Sequence, residues 1–214
     1  MTNLKTFIRA RLLPGLIIAI IAMTAGVWSA KWLTRHNADT DPLNATRFPQ
    51  ARLLQPFNLV DHNGNAFDNT NLQQHWSFLF FGYTHCPDVC PTTLSVLNSV
   101  AQRLQGISDN IRFVMVTVDP DRDTPEKLRE FVTWFNGDFV GVTGAPEKLE
   151  QLTRQLGIMH MRVEGGTDAT DYLVDHTAGI ILIDPDSSYH AVFTPPLDAN
   201  NIEDDFKKIF RAYH

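Results

Sequence analysis

The stretch that most constrains this chain runs Phe78-Leu79-Phe80-Phe81-Gly82-Tyr83-Thr84-His85-Cys86-Pro87-Asp88-Val89-Cys90-Pro91, and it holds both cysteines of the 214 residues. An aromatic-rich apolar run closed by Gly reads as a buried strand. Beyond Pro91, the apolar residues Leu94, Leu97, Val100, Ala101 and Leu104 recur at helical spacing. The thiols are therefore expected at a strand-to-helix turn, on or just before a helix N-terminus. The unpaired N–H groups and partial positive charge at such an end favour thiolate over thiol. A thiolate is both a nucleophile and a soft-metal ligand. Two cysteines are too few for a disulfide scaffold but suffice for one reactive or metal-binding pair.

The N-terminus has a different character. Leu12 to Ala30 carries no charge over 19 residues, close to the roughly 20 needed to span a bilayer. Lys5, Arg9 and Arg11 precede it and Lys31 and Arg35 follow, which favours an N-terminus in the cytoplasm and a body outside. A cleaved signal peptide, with Val27 and Ser29 as the small positions before a cut, is the alternative. The apolar stretch exceeds the usual signal-peptide core, which favours a retained anchor. Either way the body is exported, to a compartment where a disulfide bond can form. No Arg- and Ser-rich transit peptide precedes the anchor, so the expected location is a bacterial inner membrane, single-pass, with the body in the periplasm. Residues 1–35 hold five of the 18 bases and no acid, leaving 13 bases against all 24 acids in the rest. A body this acidic argues against a nucleic-acid partner.

Three segments are expected: residues 1–33 as tail and membrane anchor (the membrane contact lying in 12–33), 34–52 as a polar linker, and 53–214 as one domain. Within the domain, Asn63-Gly64 between short apolar runs predicts a hairpin. The central strand then covers 77–82 and a helix runs from about 92 to 105. Ile111–Val118 predicts a second buried strand. Thr124-Pro125 predicts a helix start, by a capping hydroxyl followed by Pro at the first helical position. Its buried stripe is Leu128, Phe131, Val132 and Phe135. A short strand at 139–142, a helix from Pro146 closed by Gly157, strands near 159–163 and 172–175, a hairpin of 179–183 with 189–193, and a final amphipathic helix complete the pattern. Trp76, Trp134, Phe131 and Phe135 are core candidates. Strands alternating with helices describe an α/β layered domain. A cysteine pair at its first strand–helix turn points to a thioredoxin-like fold with an N-terminal hairpin extension and an N-terminal transmembrane helix.

Cys86 and Cys90 are separated by three residues, one more than in a thioredoxin motif. At a spacing of four on a helix, two side chains share one face, so the sulfurs can meet around one metal ion. The alternatives are a structural disulfide or two buried free thiols. In a thioredoxin fold the loop before the strand at 179–183 faces the cysteines and carries a cis-proline. Here no proline occupies that loop, and His176 stands there instead. Two thiolates and one imidazole suit copper, and three ligands suit Cu(I). Zinc also accepts such donors but wants a fourth.

Three motifs occur in order: Tyr83-Thr84-His85-Cys86-Pro87-Asp88-Val89-Cys90-Pro91, Val118-Asp119-Pro120-Asp121-Arg122-Asp123-Thr124-Pro125, and Asp175-His176-Thr177. Together they resemble the SCO/SenC family, membrane-anchored copper chaperones for cytochrome c oxidase assembly, over about residues 50–213. The resemblance implies that Cys86, Cys90 and His176 bind copper as Cu(I) or Cu(II). It implies delivery to the copper A site of an oxidase subunit. Other periplasmic copper chaperones or thioredoxin-like reductases are further expected partners.

A rival function needs the cysteines but neither His176 nor metal: a thiol-disulfide reductase that keeps the oxidase's copper-ligand cysteines reduced. A peroxide reductase or a copper-responsive sensor is a weaker third reading, for which no second motif is present. Among lesser candidates, alternation along a strand would turn His160 away from Met159 and Met161. Asp119, Arg122 and Asp123 read as a helix-start ion pair or as support for the site. Asp88 lies between the thiols, Asp175 adjoins His176, and His85 adjoins Cys86.

Overall fold

The structure, a computed structural model, describes residues 21–29, 43–164 and 172–213. Leu43–Lys207 forms one compact unit, and residues 1–42 are grouped with Lys208–His214 in a second. In the second unit, residues 21–29 form a helix (α1) with every residue exposed, including Ile21, Met23, Val27 and Trp28. Among the described residues no helix is long and apolar enough to cross a membrane. The remainder of the expected membrane contact, residues 12–20 and 30–33, lies outside the described residues.

The larger unit is a mixed eight-stranded sheet. Its strands in chain order are β1 (Thr46–Leu53), β2 (Asn58–Asp61), β3 (Ala66–Asp68), β4 (Trp76–Gly82), β5 (Ile111–Thr117), β6 (Val140–Thr143), β9 (Ile180–Ile183) and β10 (Ser188–Phe193). A separate hairpin pairs β7 (His160–Glu164) with β8 (Tyr172–His176). In space the sheet order is β1-β10-β9-β4-β5-β6-β2-β3. Only β4, β5 and β6 run parallel to one another. The helices α3 (Val89–Arg103) and α4 (Pro125–Phe135) make the crossovers between them, as parallel strands require. A short α2 (Asn69–Leu72) precedes β4, α5 (Pro146–Leu156) follows β6, and α6 (Ala199–Tyr213) ends the fold.

All seven residues of β4 are buried, as a strand covered on both faces must be. Phe78 stacks on Phe113 at 5.0 Å and meets Phe193 and Phe206 at 6.1 and 5.3 Å. Each such ring adds about 1.5–3 kcal/mol by burial alone. The hairpin expected at Asn63-Gly64 forms between β2 and β3 and joins the sheet through β6. Thr124 caps α4 by accepting from the Lys127 N–H, with Pro125 in the first turn. Gly157 closes α5 in the left-handed region at φ 69°.

The structure departs from the sequence reading in three places. Residues 46–52, read as part of an irregular linker, belong to β1. This edge strand pairs with β10 and slips register between Arg47 and Arg52, around Pro49, which cannot donate to a ladder. Edge exposure leaves it without the apolar alternation that marks a strand. Second, α3 starts at Val89 rather than 92, because the first turn of a helix tolerates a proline such as Pro91. Third, Trp134 is 85% exposed and is not core. The buried positions of α4 are Leu128 and Val132, and Trp134 follows Val132 by two residues, which turns it to the opposite side. Phe131 and Phe135 are half-buried and meet edge to face at 5.6 Å.

Candidate metal centre

The early start of α3 sets the geometry of the thiols. Cys90 lies in its first turn and is fully buried, while Cys86 stands before the helix and is half-buried. The Cys90 N–H donates to Cys86 Sγ at 3.4 Å, so an otherwise unpartnered helix N-terminal donor is aimed at the more accessible sulfur. Both thiols are free. The expected thiolate-favouring field does not prevail at Cys90: burial pushes this thiol's pKa strongly up. β4 ends at Gly82 beneath it. A Cβ there would lie 2.7 Å from the Phe80 ring and 2.9 Å from Cys90 Sγ, so the buried sulfur needs glycine at this position.

His176 arrives at the end of β8. Its Nε2 lies 3.5 Å from Cys90 Sγ. Its ring meets those of Phe80 and Tyr83 edge-on, each at 6.0 Å. Burial lowers its pKa, so the imidazole is neutral over a wider pH range than an exposed one. Nδ1 is 3.3 Å from the Thr177 carbonyl. With Nδ1–H donating there, Nε2 keeps its lone pair for the sulfur side, the tautomer a metal ligand requires. Asp175, next to His176 on the alternating strand, is exposed and pairs across the hairpin with Met161, and the group that meets His176 Nδ1 is the Thr177 backbone carbonyl.

The donor atoms of Cys86, Cys90 and His176 all lie within 4.8 Å of one another, the one such trio of His, Cys and acidic donors among the described residues. Donors sharing one ion at bonds of about 2.0–2.3 Å sit roughly 3.5–4 Å apart. Two sulfurs and one nitrogen, without a carboxylate, fit a soft or borderline metal rather than Mg²⁺ or Ca²⁺.

Two polar networks hold these elements. Asp123 is fully buried and accepts from the Thr84 N–H at 3.1 Å, the Thr84 hydroxyl at 2.6 Å and the Thr117 hydroxyl at 2.6 Å. It thus ties the residue two before Cys86 to the end of β5. The Tyr172 hydroxyl donates to Asp119 at 2.6 Å, Arg122 pairs with Asp119, and an Arg122 N–H donates to the Tyr172 carbonyl at 3.0 Å. The Arg122 guanidinium carbon lies 3.6 Å from the Tyr172 ring centre. The Tyr83 hydroxyl accepts from the Val174 N–H at 3.2 Å. These contacts moor β8, and with it His176, to the loops after β4 and β5. The charged loop is therefore both an ion pair and the mooring of the site. Tyr83, Tyr172 and Thr117 have roles that sequence reasoning missed. Tyr172 stands four residues before His176 on the alternating strand, the one signal that placed it on the same face.

His85 is exposed, with Nδ1 3.0 Å from the Thr84 hydroxyl, and stands outside the trio. Asp88 caps α3 by position only, without a side-chain hydrogen bond to the helix N–H groups. His160 lies across the hairpin from His176.

A family model described as SCO1/SenC matches residues 45–211. The SCO2-like protein of Rickettsia prowazekii is 33% identical over 195 residues, which is 89% of this chain and 95% of that protein. The crystal structure of Arabidopsis thaliana ScoI with copper bound is 31% identical with a TM-score of 0.69, covering 74% of this chain and 99% of that one. Bradyrhizobium japonicum ScoI with copper bound is 32% identical with a TM-score of 0.66, covering 73% and 98%. The mixed α/β sheet is thus the thioredoxin-like fold of the Sco structures, and the chain belongs to the SCO1/SenC family.

Proposed function

We propose that this chain is a copper metallochaperone that holds one copper ion between Cys86 Sγ, Cys90 Sγ and His176 Nε2. It releases the ion by ligand exchange to the copper A site of a cytochrome c oxidase subunit. The observation that carries the reading is the convergence of two sulfurs and one imidazole nitrogen within 4.8 Å. Copper-bound relatives of the same fold support the choice of metal. The family resemblance supports the oxidase as acceptor. Cys86 and Cys90 bind through their thiolates, and His176 adds a borderline nitrogen that favours Cu(II) as well as Cu(I). The uncharged run at 12–30 supports a tether to the bacterial inner membrane, with the folded unit in the periplasm. Tethering donor and acceptor to one surface raises their effective concentration.

Copper content of the purified full-length chain tests this. One copper per chain is expected, falling to background in the Cys86→Ser/Cys90→Ser variant. Equal copper in both proteins contradicts it.

A second reading is favoured by one specific contact. The half-buried Cys86 receives the Cys90 N–H while Cys90 lies buried behind it, the arrangement of an attacking and a resolving thiol. Such a thiol-disulfide reductase would keep the acceptor's cysteines reduced before copper arrives. His176→Ala separates the two: disulfide exchange survives it, Cu(II) binding does not.

A further inference from the structure

Val89 and Val96 stand seven residues apart on α3 and so share one face of that helix. With Ala178, Pro195 and Leu197 they wall a pocket of about 200 Å³, and Asp88 lies beside them. A cavity of about 150 Å³ accommodates benzene, so this pocket has room for one leucine or phenylalanine side chain. Val89 keeps 44% of its surface in water although it is apolar. Asp88 is exposed, makes no cap bond to α3 and is met by the Thr92 hydroxyl at a long 3.4 Å, so its charge is available to a cation.

The pocket adjoins the metal centre. Asp88 is two residues from Cys86 and Ala178 two from His176, so each lies within about 7 Å of a ligand residue along the chain. A partner that exchanges a ligand with Cys86 must touch the centre. A standard interface covers about 800 Å² on each side, a patch roughly 16 Å in radius, and half that area still reaches about 11 Å. An acceptor seated on Cys86 therefore covers this pocket as well. Apolar side chains buried in pockets near the middle of an interface carry most of its binding energy. Beyond residue 35 the chain holds 13 bases against 24 acids, which favours a basic partner surface.

We propose that this pocket receives one large apolar side chain of the acceptor, from a segment that carries a lysine or arginine beside it to meet Asp88. The proposal rests on Cys86 exchanging with that acceptor, whether copper or a disulfide is handed over. Seating the side chain holds the incoming sulfur against Cys86 and selects the acceptor over other thiols.

Peptides test this on the full-length chain. Leu-Lys-Cys-Lys-Leu places leucine two residues from cysteine on both sides, the reach from Cys86 to the pocket. It is compared with Gly-Lys-Cys-Lys-Gly and Leu-Glu-Cys-Glu-Leu, each activated as its mixed disulfide with thionitrobenzoate. The Cys86 thiol loses its proton to solvent and its thiolate attacks the peptide sulfur. A Cys86–peptide S–S bond forms, the old S–S bond breaks, and the electron pair leaves on thionitrobenzoate, the better leaving group, whose absorbance gives the rate. Each readout is a ratio of two peptides on one protein, so the intrinsic reactivity of Cys86 cancels. The leucine peptide is expected to react about tenfold faster than the glycine peptide, as burial of one leucine allows. Val96→Phe, or Thr92→Phe from the exposed rim, fills the pocket and should bring that ratio near one. Asp88→Asn should lower the lysine-to-glutamate ratio about threefold at low salt. A leucine-to-glycine ratio near one in the wild type, or one that survives both phenylalanine variants, overturns the proposal, and a charge ratio unmoved by Asp88→Asn overturns its basic neighbour. Leu-Lys-Ser-Lys-Leu, which cannot exchange, reads the pocket apart from the thiols. At millimolar concentration it should shift the Val89 methyl signals of the wild type and not of Thr92→Phe, and unmoved signals in the wild type overturn the proposal. Shifted signals without thionitrobenzoate release support the pocket and count against Cys86 as the exchanging ligand.

Discussion

His176 Nε2 lies 3.5 Å from Cys90 Sγ although 86 residues separate them in the chain. The contact closes a loop from the first crossover helix to the outer hairpin, and nothing local in either segment requires it. It is made by the moorings of β8, so substitutions in the site and in the moorings should have separable effects.

Removing the imidazole should discriminate between copper oxidation states. His176→Ala is expected to weaken Cu(II) binding by more than about 100-fold, since changes that merely disturb a ligand's partner already cost 10–100-fold. Cu(I) should suffer less, because two thiolates remain. Competition titrations with chelators selective for each state measure both. Equal losses would remove His176 from the set.

Gly82→Ala places a methyl 2.9 Å from Cys90 Sγ and 2.7 Å from the Phe80 ring. Overpacking of this kind costs about 1–3 kcal/mol. Denaturant unfolding should show that loss, and metal affinity should fall with it because the buried sulfur must move. An alanine protein with wild-type affinity would mean that Cys90 is free to shift without consequence.

Asp123 and Tyr83 act at a distance from the metal. Asp123→Ala strands the Thr84 and Thr117 donors in a buried position and is expected to cost about 2–4 kcal/mol. Tyr83→Phe strands the Val174 N–H and is expected to cost about 1–3 kcal/mol. In Tyr83→Phe the loss should appear mainly as weaker Cu(II) binding and altered His176 ring shifts by NMR, since β8 loses its tie to the thiol loop. Unmoved His176 shifts would show that the tie does not position the ring.

The apo protein should lose stability in alkali. Burial raises the Cys90 pKa above its ordinary value of 9.0, so the folded state retains a proton that the unfolded state releases. The associated stability is fully present below pH 9 and declines as pH rises beyond it, at a limiting slope of about 1.4 kcal/mol per pH unit. His176 acts in the opposite range: its lowered pKa means stability is lost as pH falls below its ordinary value of 6.5. Unfolding of the reduced chain across pH 5–10 measures both slopes, and comparison with His176→Ala separates the His176 share of the acid one from that of His62, which burial lowers likewise. Cys90→Ser should remove the loss that begins near pH 9, leaving the smaller one that the buried Tyr83, Tyr172 and Tyr189, also raised by burial, add around pH 10 and above. The same buried proton must leave when metal binds, so affinity should rise with pH.

Much of this was legible from periodicity. β4 announces itself by an unbroken apolar run, α4 by its capping threonine and proline, and α5 by its closing glycine. The clustering of Cys86, Cys90 and His176 was legible only through the fold: the cysteines mark a strand–helix turn, and a thioredoxin-like sheet brings the chain near residue 176 opposite them. What escaped has a common cause, namely dependence on partners distant in the chain. β1 is an edge strand with water on its outer side and carries no apolar alternation. Trp134 looks like core by composition but falls off the buried stripe of Leu128 and Val132. Tyr172 and Tyr83 read as ordinary strand-end aromatics until their hydroxyls are seen to meet Asp119 and the Val174 N–H. The pKa of Cys90 is set by burial, which outweighs the helix end that the sequence did foretell.

The central claim is that two sulfurs and one imidazole share a single copper ion, and X-ray absorption of the singly Cu(I)-loaded full-length chain tests it most directly. The account predicts two sulfur neighbours at about 2.2–2.3 Å and one nitrogen at about 2.0 Å, with the nitrogen lost in His176→Ala. A shell of sulfur alone in the wild type, or a spectrum unchanged by His176→Ala, would contradict it.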